Sequence, residues 1–232
     1  MATKSERGLR VLHAEITACR ACPRLTKYRE DVAREKRRAF REQEYWGRPV
    51  PGFGDPSARI VVVGLAPAAH GANRTGRIFT GDRSGDFLFA ALHRAGLANQ
   101  PTSVARDDGL ALTDVFVVSP VRCAPPDNKP LPDEIARCAP YLDRELDLLP
   151  SARVLLALGA IAFRAILEHL RRRGETIPSP RPEFGHGVTI RIGTLWIVGS
   201  YHVSQQNTQT GKLTPKMFDA VVAAARARVT SE

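Results

Sequence analysis

Four cysteines, Cys19, Cys22, Cys123 and Cys138, are the residues whose type and spacing most directly suggest chemistry. Cys19 and Cys22 form a C-x-x-C pair, and fourteen residues separate Cys123 from Cys138. Four thiolates can hold a zinc ion or an iron–sulfur cluster. A zinc ribbon ordinarily shows two close pairs, so the wide second pair suits a larger inorganic core better. On spacing alone, an iron–sulfur cluster, zinc and four unrelated thiols all stay open. A cytosolic thiol set is more often metal-binding or catalytic than disulfide-bonded.

A second concentration of chemistry lies in residues 64–82, GLAPAAHGANRTGRIFTGD. It follows an apolar run, 59–63, that reads as a buried strand, and precedes residues 84–95, whose apolar positions recur at helical spacing. In open α/β sheets, ligands bind where strand ends meet helix starts. Several glycines let the backbone turn sharply or approach a ligand closely. His70, Asn73, Arg74, Arg77, Phe79 and Asp82 give the stretch the character of a pocket wall with an aromatic floor. A plain connection would be shorter.

These residues need a scaffold, and the rest of the chain supplies one. Helices are expected over 5–18 and 24–45, the second dense in charge, followed by a proline- and glycine-rich connector over 46–56. Apolar runs at 59–63, 113–120, 152–159 and 195–200 read as core strands, with a short edge strand over 187–192. Helical patterns at 84–95, 133–149, 160–172 and 214–229 alternate with them, the last with Thr214 as N-cap and Pro215 at its first position. Such alternation predicts an α/β fold with a mostly parallel sheet covered on both faces. The carboxyl ends of parallel strands share one edge, so loops 64–82, 119–130 and 199–213 converge on one cleft. A single domain over 1–232 is expected, with a helical N-terminal segment over residues 1–48 that carries the C-x-x-C.

The formal net charge is +10 and the pI near 10.0. Such an excess favours polyanions: DNA, RNA or a membrane surface. No run approaches a membrane span, and MATKSERGLR lacks the apolar core of a signal peptide. A cytoplasmic location is expected.

The order and spacing of CRACPRL (19–25), PVPGFGDP (49–56), GLAPAAHGANRTGR-FTGD (64–82), VRCAPPDNKP (121–130) and SYHVSQQNTQTGKLT (200–214) resemble the uracil-DNA glycosylase superfamily, in particular its family-5 enzymes. The resemblance covers nearly the whole chain. It implies a three-layer α/β/α sandwich around a central four-stranded, mostly parallel sheet. It also implies a [4Fe–4S] cluster held by Cys19, Cys22, Cys123 and Cys138. The implied activity is that of a monofunctional DNA repair glycosylase. It hydrolyses the N-glycosidic bond of uracil, hypoxanthine, xanthine or etheno-cytosine and leaves an abasic site. The implied partner is double- or single-stranded DNA, bound by a monomer associated with the nucleoid. Two alternatives are a family-4-type enzyme narrower for uracil and a non-enzymatic iron–sulfur protein that binds nucleic acid or senses redox state.

A glycosylase extrudes the base and breaks the C1′–N bond, leaving positive charge on the sugar and negative charge on the base. By the resemblance, Phe79 stacks on the base, and the backbone from Gly64 through Ala66 to Ala68, with Ser119, lines its other side. His202 donates to a base carbonyl, Asp82 supports the sugar cation or its water, and Asn128 orients water or base. Asp82 also suits a helix cap, and Phe79 a core position. Arg74, Arg77, Lys129, Ser204, Gln205, Asn207 and Lys212 are expected at phosphates and the lesion gap. Many superfamily members carry an acidic or amide residue where this chain has Pro67, Ala68 and Ala69. Many also carry an asparagine near 118–120. Family 5 shares both departures, and fewer groups demanding uracil's edge loosen specificity.

Overall fold

The computed structural model describes residues 3–230. The chain runs α1 (Lys4–Ala18), α2 (Pro23–Glu35), β1 (Phe53–Gly54), β2 (Ile60–Val63), α3 (Ala72–Thr75), α4 (Arg83–Arg94) and β3 (Val115–Val118). It continues α5 (Pro132–Asp147), β4 (Val154–Leu158), α6 (Ala160–Arg172), β5 (Thr189–Ile192), β6 (Leu195–Ser200), α7 (Gln205–Gln209) and α8 (Pro215–Thr230).

The sheet order is β1-β3-β2-β4-β6-β5. The four inner strands are mutually parallel, with Ile60 beside both Val115 and Val154, and Val154 beside Trp196. Every residue of β2, β3 and β4 is buried. That explains why they read as unbroken apolar runs rather than alternating ones. Alternate residues serve opposite faces. Val62, Leu156 and Val198 pack under α4 and α8 with Leu88, Phe89 and Phe218. Val61, Val63 and Leu155 pack under α5 and α6 with Leu142, Leu146, Phe163 and Ile166. The result is the expected α/β/α sandwich, but with six strands rather than four. Both additions are antiparallel edges: β5 on β6, and β1 on β3.

Two further expectations are corrected. The second helix stops at Glu35 instead of running to 45, because Lys36 takes a left-handed conformation (φ 55°). A 3-10 turn, Arg38–Phe40, follows. The loop 64–82 is not wholly irregular, since it contains α3.

A buried ionic group ties α1 to α5 and to the exit of β3. Glu145, fully buried, accepts from His13 Nε2 at 2.8 Å and from the Gly52 amide at 2.9 Å. Arg122, 1% exposed, brings Nη2 to 2.6 Å from Glu145 Oε2, an ion pair out of line for a hydrogen bond. Burial works to raise the Glu145 pKa, but Arg122 and His13 outweigh it and hold the carboxyl below its ordinary range.

Candidate active site

Phe79 sits where the ends of β2 and β6 meet the start of α4. Its ring lies against the backbone of Gly64: a Cβ there would come within 2.7 Å of Phe79 Cε2. Gly85, in the first turn of α4, has no room for a side chain because a Cβ would strike the Phe79 carbonyl. Phe79 itself takes φ 51°, a left-handed conformation unusual for an aromatic residue. The ring is 8% exposed. His202 lies beside it, with ring centroids 6.2 Å apart and planes 34° from parallel.

His202 immediately follows the Tyr201 that leaves β6. Its imidazole has no hydrogen-bond partner among the described residues, while its backbone carbonyl accepts from Asn207 Nδ2 at 2.8 Å. Burial pushes the imidazole pKa down to about 4, so the ring is neutral at physiological pH and carries one N–H to donate. Asp82 caps α4 by accepting from the Gly85 amide at 3.0 Å. Its other oxygen, Oδ2, faces Gly71, where a Cβ would collide with it. Burial is the main influence on Asp82 and raises its pKa above the usual carboxylate value.

Gly64, Phe79, Asp82 and His202 are therefore brought together. Ala68 borders them, its carbonyl accepting from the amides of Gly71 and Asn73. Ala66 packs instead toward Leu25, Val121 and Cys123. Other expected site residues take other places. Ser119 is fully buried and its hydroxyl donates to the Val121 carbonyl at 2.9 Å, so it fixes the chain leaving β3. Arg74 and Arg77 do not reach the surface as phosphate ligands. Arg74 is 8% exposed and donates to the carbonyls of His70 and Gly81 and to Gln43 Oε1. Arg77, 4% exposed, grips both oxygens of Asp108 at 2.8 Å and donates to Ser103. Asn207 spends its amide on His202. Asn128 stands exposed on the 3-10 turn Pro126–Asn128 with φ 55°, and no contact joins it to Phe79 or His202. Lys129, Gln205 and Lys212 are exposed, Lys212 lying 4.9 Å above the Tyr201 ring, and Ser204 stands half-buried at the head of α7.

Sequence reasoning missed Asp108. It takes the Arg77 guanidinium and three backbone amides, those of Val104, Ala105 and Leu110. Loop 99–109 is thereby fastened to the pocket loop. No local pattern announces a pairing that spans 31 positions.

The four cysteines line one pocket together with Arg29, Arg122, Arg137 and Tyr141. None of the four forms a disulfide. Arg29, 2% exposed, places Nη1 2.9 Å from Cys123 Sγ and also donates to the Cys19 carbonyl. Burial pushes the Cys123 thiol up to about 11 and Cys138 up to about 12. Arg29 Nε, and Arg122 Nε and Nη1, are buried donors without a partner among the described residues. Among those residues no three His, Cys, Asp or Glu side chains close around a single-ion position. Asn73 connects the two centres, its buried amide donating to the Arg29 carbonyl at 3.1 Å.

Fold and site define a three-layer α/β/α protein with Gly64, Phe79, Asp82 and His202 gathered at the carboxyl edge of the parallel strands. Residues 51–226 match the sequence model of the uracil DNA glycosylase superfamily. The chain is 53% identical over 212 residues to a type-5 uracil-DNA glycosylase of Mycobacterium tuberculosis, covering 90% of this chain and 78% of that protein. It is 53% identical over 212 residues to one from Thermus thermophilus, covering 91% and 94%, and 45% identical over 209 to one from Pyrobaculum aerophilum, covering 90% and 88%. A type-4 uracil-DNA glycosylase of the last organism is 32% identical over 170 residues, covering 73% and 69%. The chain belongs to the uracil-DNA glycosylase superfamily, in its type-5 branch.

Proposed function

We propose that this protein hydrolyses the N-glycosidic bond of uracil in DNA, leaving an abasic site, and that the same pocket admits hypoxanthine, xanthine and etheno-cytosine. The observation that carries the reading is the Phe79 and His202 rings brought within 6.2 Å of each other at the ends of β2 and β6, in a chain whose relatives are type-5 uracil-DNA glycosylases. The base, flipped from the duplex, stacks on Phe79. As the C1′–N bond breaks, its electron pair leaves with the base and negative charge spreads to the carbonyl oxygens. His202 donates its N–H to one of them. A neutral donor suits this task, because it stabilises developing charge without first needing a proton of its own. Water adds to C1′ and loses a proton, the net result being hydrolysis. Asp82, next to the first turn of α4, supports the sugar cation or that water, and Asn128 orients water or base from the rim. The small, apolar Pro67, Ala68 and Ala69 leave few buried polar groups to go unpaired when the base is not uracil.

The four cysteines suit a [4Fe–4S] cluster. Arg29 and Arg122 bring buried guanidinium nitrogens without hydrogen-bond partners to the thiol pocket, and a thiolate-held cluster would give them an acceptor. All four cysteines line one pocket, and the wide spacing of Cys123 and Cys138 suits a larger inorganic core better than a zinc ribbon. The reaction transfers no net electron, so the cluster acts as a staple joining the α1–α2 junction to the exit of β3 and to α5. The deciding experiment is single-turnover treatment of duplexes bearing uracil, hypoxanthine, xanthine or etheno-cytosine, with alkali to cleave abasic sites. No cleavage of the uracil duplex refutes the reading, and cleavage of uracil alone refutes the wider substrate range.

A further inference from the structure

We propose that the short strap after α2, residues 36–41, is a DNA-phosphate clamp, with Arg37, Arg38 and Arg41 as its contacts. The inference rests on the glycosylase reading above and adds a surface to it. The strap occupies the place left open by Arg74 and Arg77, which are buried and committed inside the protein.

Three observations support it. First, the strap is fastened to the catalytic loop. The Arg37 amide donates to Tyr45 Oη at 3.3 Å, and that hydroxyl lies 3.1 Å from His70 Nδ1. Phe40 covers the guanidinium of Arg74 at 4.0 Å. Lys36 Nζ donates to the Arg41 carbonyl at 3.2 Å and closes the turn. The same nearness is felt at His70, whose pKa is held down by burial first and then by the charges of Arg37 and Arg74.

Second, the three guanidinium groups are exposed and free. Arg37, Arg38 and Arg41 are all exposed, and among the described residues none has a carboxylate within ion-pair reach. Arg24, Arg59, Arg94, Arg144 and Arg172, by contrast, each hold an acidic partner at 2.6–2.7 Å, and exposed arginines outside the ion-pair set, such as Arg10, Arg83, Arg153 and Arg164, stand singly in the sequence rather than in a cluster of three. Exposed Glu42 and Glu44 follow the strap, leaving an excess of cations over residues 36–44. An arginine with an acidic partner is largely neutralised. One without is available to displace counterions from phosphate.

Third, the strap has a reason to be rigid. Lys36 at φ 55° breaks the helix and turns the chain, and the Phe40–Arg74 stack pins the tip. Prepositioned arginines lose less entropy on binding than a floppy basic tail does. They also match phosphate bidentately.

The test is a triple variant, Arg37→Gln with Arg38→Gln and Arg41→Gln, set against a control, Arg153→Gln with Arg164→Gln. The control residues are exposed cations before β4 and on α6. The probe is a duplex containing a tetrahydrofuran abasic analogue, with affinity measured across a salt series. Each phosphate contact contributes about 0.9 to the log–log salt slope, so the strap variant should be shallower by about 2–3 units. Between 50 and 200 mM salt, the native protein should then lose roughly 40-fold more affinity than the strap variant. The control slope should stay at the native value. A strap variant with the native slope, or a control that falls as far as the strap variant, overturns the proposal. Uracil excision by the native protein is scored separately. Excision with an unchanged strap slope sinks the clamp alone, and a native protein inert on uracil removes the reading beneath it.

Discussion

His202 is the residue whose removal separates catalysis from folding most cleanly. Its ring bonds to nothing in the described protein, and burial pushes its pKa down to about 4. Near neutrality only about one molecule in a thousand carries an imidazolium. His202→Ala therefore deletes a neutral donor aimed at the pocket without orphaning a protein partner. Removing one preorganised donor from a developing oxyanion costs about 3–4 kcal/mol, which predicts a hundredfold to thousandfold drop in single-turnover uracil excision. The loss should be smaller on a base whose carbonyl lies out of the reach of His202. The native rate should show no His202 titration near pH 6.5, since the folded group takes up a proton only near pH 4. For stability, the unfolded histidine protonates below about pH 6.5 while the folded one does not. Stability is thus lost as pH falls through that window, by up to about 3 kcal/mol, and His202→Gln should recover that loss. The assay is alkali-revealed strand cleavage from pH 4.5 to 8, with thermal melts alongside. A rate loss below tenfold, or a native inflection near 6.5 that vanishes in His202→Gln, refutes the argument.

Phe79→Ala should reduce the single-turnover rate by tenfold to a hundredfold, matching about 1–3 kcal/mol of stacking. Gly64→Ala should act in the same direction, because its methyl would occupy the space of the ring. Undiminished rates in both would return Phe79 to a purely structural role. Asp82→Asn retains an oxygen to accept from Gly85, so α4 should survive while excision of every base falls by a similar factor. Because burial raises the Asp82 pKa, the ionised form disappears at a higher pH than for a free carboxylate. The acid limb of the native rate should sit correspondingly high and be absent in the Asn variant; a base-selective loss would reverse the assignment. Cys138→Ala should lose bound iron and melt at a lower temperature, against about four irons in the anaerobically prepared native chain. Stoichiometric zinc without iron would contradict the cluster.

The four parallel strands were legible because burial on both faces leaves an unbroken apolar run, as in Ile60–Val63. The β1 edge was not, since two residues inside a proline- and glycine-rich connector carry no periodicity of their own. The early end of α2 was hidden by a charged pattern that continues past Glu35 without a proline or glycine stop. At the candidate site, Gly64, Phe79, Asp82 and His202 drew attention because each stands at a strand end or helix start, and the fold brings them together. Arg74 and Arg77 misled because an arginine in a loop looks alike whether it meets phosphate or a distant aspartate. Asp108 lies in a different loop, and only the tertiary fold reveals the pairing.

The buried ionic group of Glu145 sets the order in which the protein can be completed during synthesis. Its partner His13 stands 132 positions earlier, and Arg144 beside it reaches back 129 positions to Glu15. At about 5–20 residues per second, α1 must wait many seconds on the ribosome before α5 exists to receive it. Cys19 and Cys22 wait as well, because Cys138 is also on α5. The thiol pocket can therefore close only once α5 has emerged, and until then the nascent chain presents an open C-x-x-C pair to the surrounding medium. A pause in translation before residue 132 would prolong the exposure of those two thiols.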